Sequence, residues 1–176
     1  MSATAPAGFF SPQVNGMDAS NKLPFFPPGF VGDVEVIGCK GITTRAGDRA
    51  FIAELRVLTS NVPDSVRLDG KYSWFQGLKE PGTAYPACIG FLYACLGLDS
   101  ARDREKIEKV KSKQDAYLNM AVNEDVRQYD GKTNILAGAR LRLQTSIKKT
   151  KAGTDFTLHN FSPAAAAPAP APAPAT

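Results

Sequence analysis

The stretch Phe51-Ile-Ala-Glu-Leu-Arg-Val-Leu-Thr59 decides the fold class. Phe51, Ala53, Leu55 and Val57 fall on one side of it, Glu54 and Arg56 on the other. Side chains on a strand alternate between faces, so this pattern describes a strand with one covered face and one wetted face. Upstream, Gly32 to Thr43 (GDVEVIGCKGIT) is β-branched and partly alternating, with Val34 and Val36 on one face. The intervening Thr44-Arg45-Ala46-Gly47-Asp48 has a glycine able to take positive φ in a short hairpin turn. Downstream, a polar break from Ser60 to Ser65 leads to a third strand, Val66 to Gln76. Asp69-Gly70 marks a turn or bulge inside it, and Lys71-Tyr72-Ser73-Trp74-Phe75 forms its aromatic second half.

Beyond this meander the period changes. Residues 84–97 (AYPACIGFLYACLG) predict a helix, with Pro86 in its first turn, Gly97 at its stop, and Ile89, Leu92 and Leu96 sharing a face with Cys88 and Cys95. Ser100 with Asp103 three residues on announces a second helix, carrying Ile107, Val110, Tyr117, Leu118 and Ala121 at helical spacing. Its Lys106, Lys109, Lys111 and Lys113 are mixed with Asp103, Glu105 and Glu108, which reads as a solvated face. Ala139 to Thr150 (ARLRLQTSIKKT) alternates again, and Lys151-Ala152-Gly153-Thr154 turns it into a last strand, Asp155 to Phe161. Both turns read Thr-basic-Ala-Gly, and a phenylalanine follows each, at Phe51 and Phe156.

The order is three strands, a helical segment, then two strands. It predicts a mainly β domain with helices: an OB-fold-like five-stranded Greek-key barrel with a helical insertion between strands three and four. The rival is an open antiparallel sheet with both helices on one face. Residues 24–162 form the expected domain. Residues 1–23 read as a flexible arm, leading into the proline-rich Pro24-Phe25-Phe26-Pro27-Pro28-Gly29-Phe30, whose phenylalanines are expected to pack on the domain edge. Residues 163–176 (PAAAAPAPAPAPAT) are Pro/Ala low complexity and read as a disordered, semi-stiff tail.

With 176 residues, 43% of them apolar and 22% charged, the chain has the composition of one globular domain. No apolar run reaches membrane-spanning length, and no basic segment leads into an apolar one at the N-terminus, so neither a membrane span nor a secretory signal is expected. Three cysteines without a CxxC pair argue against a disulfide framework or structural zinc and suit a reducing cytoplasm. The net charge of +4 is unevenly placed. Residues 131–156 hold six Lys/Arg against Asp155 alone, which fits either a phosphate-contacting surface or an edge hairpin protected by lysine.

Enzyme signatures are missing. One histidine, His159, excludes a His-rich zinc site, and no GxxxxGK, GxGxxG or GxSxG occurs. Pro63-Asp64 with Asp69-Gly70-Lys71 imitates a metal-nuclease pattern, but four residues are a short spacer for carboxylates that must converge from two strands. Cys39 has no marker of an activated nucleophile. The chain reads as a non-enzyme with no cofactor and no metal.

A longer series of matches carries a resemblance. It runs through Phe26 to Gly32, Val34 to Ile37, Thr44 to Gly47, Phe51 to Val57, Ser60-Asn61, Gly70 to Trp74 and Phe91 to Gly97, with a weaker echo over 139–162. The chain resembles phage-encoded single-stranded DNA-binding proteins. That resemblance implies an OB-fold coating single-stranded DNA during phage replication or recombination in the bacterial cytoplasm, with phage or host replication and recombination proteins as further partners. The Pro/Ala end departs from the acidic tip through which many such proteins recruit those enzymes.

Single-strand binding needs cations for phosphates and flat rings for bases. The candidate cations are Lys40, Arg45 and Arg49 around one hairpin, Lys71 on the third strand, and Arg140, Arg142, Lys148, Lys149 and Lys151 on the other hairpin. Tyr72 and Trp74, on one face of the third strand, are either stacking platforms or core anchors. Phe161 is a further candidate stacker, whereas Phe51 and Phe156 fall in register with inward residues. The alternative function is a structural or protein-interaction module of a virion or replisome, with no direct nucleic-acid role.

Overall fold

Strands and helices follow one another in the expected order in a computed structural model, which describes residues 23–122 and 134–165. They are β1 (Val31–Thr43), β2 (Arg49–Val57), β3 (Lys71–Gly77), α1 (Pro81–Cys95), α2 (Arg104–Lys111), α3 (Gln114–Val122), β4 (Arg140–Lys149) and β5 (Asp155–Pro163). The expectations for residues 1–22 and for the tail from 166 lie outside the described residues.

The strands form one sheet in the order β3-β2-β1-β4-β5, every neighbour antiparallel. The sheet is open, which corrects the expectation of a closed barrel. The backbone supplies a reason: the Ser73 N–H on the outer edge of β3 donates to the Pro24 carbonyl at 2.9 Å, and Phe25 makes a parallel bridge to Ser73. The N-terminal arm thus holds the edge that a closing strand would need. On the inward side the two terminal strands still meet, with the rings of Trp74 and Phe161 4.8 Å apart.

The local differences have equally simple causes. β3 begins at Lys71 rather than Val66, because Asp69 takes φ 57° and turns the chain, while Val66 is buried in the turn itself. α1 begins at Pro81, so Pro86 lies in the second turn and its missing N–H leaves the Gly82 carbonyl without its helical donor. Gly97, at φ 71°, ends it, with Leu98 N–H donating to Tyr93 and Gly97 N–H to Ala94 in a Schellman motif. The expected second helix breaks at Ser112-Lys113 into α2 and α3, and α2 starts from Asp103 instead of Ser100.

The core lies between the inward face of the sheet and α1. Val34, Val36 and Cys39 of β1, Phe51 to Val57 at alternate positions of β2, Tyr72 and Trp74 of β3, and Leu141 and Leu143 of β4 all point there. Phe91 and Leu92 of α1 pack onto them. Gly32 lets two segments approach: a Cβ there would stand 2.0 Å from the Thr59 carbonyl oxygen and 2.6 Å from the Phe30 ring. Buried Thr145 ties the arm to β4, its Oγ1 accepting from Phe30 N–H at 2.9 Å and donating to the Pro27 carbonyl at 2.6 Å. Buried Asn134 donates to the carbonyls of Cys39 and Ala121 and so joins the end of α3 to β1.

Candidate nucleic-acid interface

The outward face of the sheet is built by register. Pairing sets Lys40 beside Ile52 and Ile52 beside Phe75 in one row across β1, β2 and β3. The next row holds Gly38, Glu54 and Ser73, with Phe25 of the arm bridged to Ser73. The third runs Arg140, Glu35, Arg56, Lys71, and beyond it Arg142 stands opposite Asp33. Phe25 and Phe75 are 63% and 43% exposed on this face. Two bare rings with Lys71 at their margin are the residue types that stack bases and hold phosphates.

Tyr72 and Trp74 are not those rings. Leu55 pairs with Tyr72 and Ala53 with Trp74, so both inherit the inward direction of β2. Trp74, 2% exposed, packs against Phe51, Phe91 and Phe161, and Tyr72 stacks on Phe26 at 4.8 Å. Neither has a face open to a base. The two phenylalanines of β5 trade places for the same reason. Phe161 pairs with inward Leu143 and packs edge-on against Trp74 and Phe91, whereas Phe156 pairs with Lys148 and is exposed on the outward side.

The candidate cations separate into two groups. Arg142 reaches Asp33 at 3.0 Å, Arg140 lies 3.9 Å from Glu35, Arg56 contacts the same carboxylate at 2.7 Å, and Lys40 contacts Glu54 at 2.7 Å. These pairs lace β4, β1 and β2 together and balance the centre of the face. Among the described residues, Arg45, Arg49, Lys71, Lys148, Lys149 and Lys151 have no carboxylate within ion-pair distance. The uncompensated charge therefore stands at the rims. Arg49 is set apart, since it lies on the inward side and lines a groove of about 540 Å³ with Ile42, Phe51, Tyr85 and Leu118.

The likeness of the two hairpin turns is geometric as well as sequential. Thr44 N–H donates to the Asp48 carbonyl, Gly47 N–H to the Thr44 carbonyl and Asp48 N–H to Thr44 Oγ1. Thr150, Gly153 and Thr154 repeat all three bonds. Gly47 and Gly153 take φ 84° and 80°, and Arg45 and Lys151 occupy matching positions. The stems differ: Thr43 pairs with Arg49 at the C-terminal end of β1, while the Lys149–Asp155 pair extends past its N-terminal end. The two tips thus bracket the outward face from opposite ends of β1.

Other chemistry is thinly represented. Asp64 and Asp69 are exposed turn residues, and no group of three His, Cys, Asp or Glu side chains suited to a metal occurs among the described residues. Burial pushes the Cys88 thiol up to about 11 and Cys95 higher still, so neither is a thiolate nucleophile at neutral pH. Among the described residues no helix is long and apolar enough to cross a membrane. The residues missed by sequence reasoning are Phe25, Phe75 and Phe156. The signal for Phe75 was present in the parity of FIAELRV, which fixes the direction of every residue paired to it. No protein-family model matches the chain, and no curated protein matches it significantly.

Proposed function

We propose that the chain binds and shields single-stranded DNA without catalysis, in phage replication or recombination, using the outward face of β1, β2 and β3. The observation that carries this is the pair of exposed rings, Phe25 and Phe75, beside Lys71 on a sheet whose other aromatic side chains, Phe156 apart, are largely buried in the core. The strand order supports an OB-like reading: a five-stranded Greek-key barrel cut between its third and fifth strands has the order β3-β2-β1-β4-β5. Bases stack on Phe75 and Phe25, while the cationic rims and the Arg45 and Lys151 tips attract the phosphates. The resemblance to phage single-strand binders points the same way.

The test is fluorescence anisotropy with labelled oligo-dT, its duplex form and an RNA equivalent, at low and moderate salt. Tight, salt-sensitive binding of the DNA single strand and much weaker binding of the duplex are expected. Phe75→Ala is expected to weaken single-strand binding by about 1–3 kcal/mol, the usual worth of one stacked base. Weak binding, equal for single strand and duplex and unchanged by Phe75→Ala, would give the face to a protein partner instead.

A further inference from the structure

Phe75 has a polar neighbour of an unusual kind for a non-specific binder. Glu54, two residues along β2 from the cross-strand partner Ile52, lies diagonal to Phe75, close enough for long side chains to share a ligand. Its Oε1 accepts from Lys40 Nζ at 2.7 Å. A carboxylate has about four acceptor positions, and this bond uses one of them. Gly38 stands opposite Glu54 and contributes no side chain, and both members of the pair are partly exposed, 31% for Glu54 and 41% for Lys40. An acceptor and a donor therefore sit side by side at the edge of the stacking ring.

On the reading that this face binds single-stranded DNA, we propose that the Lys40–Glu54 pair reads the edge of the base stacked on Phe75 and favours cytosine over thymine. The chemistry is complementary in one case and opposed in the other. Cytosine offers its N4 amine to the Glu54 carboxylate, as in carboxylate recognition of C in duplex DNA, and its N3 and O2 acceptors to the Lys40 ammonium. Thymine presents O4 where cytosine has the amine, so carbonyl oxygen faces carboxylate oxygen. Its N3–H, flanked by two carbonyls, is a poor substitute. The same pair that removes Lys40 from phosphate binding becomes a composition filter.

The full chain, its Glu54→Gln variant and its Phe75→Ala variant are titrated with labelled oligo-dC and oligo-dT of equal length at slightly alkaline pH. The unaltered chain is expected to bind oligo-dC about three- to tenfold more tightly than oligo-dT. Glu54→Gln, whose amide accepts from cytosine and donates to thymine, is expected to bring the two affinities together while leaving the melting temperature unchanged. Phe75→Ala is expected to weaken both. Equal binding of the two oligonucleotides by the unaltered chain overturns the proposal, and so does a preference that survives Glu54→Gln. Absence of binding to either oligonucleotide overturns the interface itself, a separate outcome from equal binding.

Discussion

Trp74 and Phe75 are consecutive aromatic residues of β3, yet one is 2% exposed and the other 43%. The inward neighbour is enclosed by Phe51, Phe91 and Phe161; the outward one has Ile52 at its side and solvent above. Hydrophobicity does not separate them, since both rings are apolar. Pairing to β2 separates them: it packs the inward ring into the core and leaves the outward ring open to solvent. The largest expected effect exploits that division. Trp74→Ala is expected to cost about 3–5 kcal/mol in urea denaturation, because it deletes a large ring from a packed core. Phe75→Ala is expected to stay within about 0.5 kcal/mol of the unaltered chain. Similar losses from both substitutions would abolish the distinction between the faces.

A smaller effect is expected where the inward face holds the outward one in place. Phe25 reaches the outward side because the arm is pinned at Thr145, whose Oγ1 serves Phe30 N–H and the Pro27 carbonyl. Thr145→Val keeps the shape and removes the hydroxyl, leaving a buried donor and a carbonyl unpartnered. A loss of about 1–3 kcal/mol is expected. Oligonucleotide affinity should fall less than for Phe75→Ala, since Phe75 keeps its place. An unchanged denaturation midpoint would mean that the arm is held without this hydroxyl, by its backbone bonds to β3 and β4 and by the buried rings of Phe26 and Phe30.

The strand order and most of the core were legible because alternation in FIAELRV and ARLRLQ reports one covered face directly. The two turns were legible because Thr-x-Ala-Gly carries its own hydrogen bonds and its own positive φ. Sheet closure was not, since it depends on whether β5 or the arm takes the edge at Ser73, a competition between segments far apart in sequence. Arg140 and Arg142 read as cations facing outward, and they do face outward. Their pairing with Glu35 and Asp33 follows from the β1–β4 register, which no local pattern encodes. The directions of Tyr72, Trp74, Phe156 and Phe161 likewise needed the partner strand. A run such as KYSWF is aromatic on both faces and cannot orient itself.

The smallest effect tests the inward face at its weakest margin, where β5 covers the core as an edge strand. His159 lies there opposite Thr145, and its Nε2 is buried without a hydrogen-bond partner among the described residues. Burial holds its pKa below the ordinary value of 6.5, and a backbone hydrogen bond at Thr157 only partly opposes this. The unfolded chain therefore takes up a proton near 6.5, while the folded chain takes it up only at lower pH. Between those two points the unfolded state binds more protons, so stability must fall as pH is lowered through that window and be fully present above it. His159→Phe removes the group while keeping a ring in the site. The expected result is a urea midpoint that falls from neutral to mildly acidic pH more steeply for the unaltered chain than for the variant, every other titrating group being common to both. Parallel curves would mean that water reaches the His159 ring in the folded chain, and that the covered face ends at Phe161.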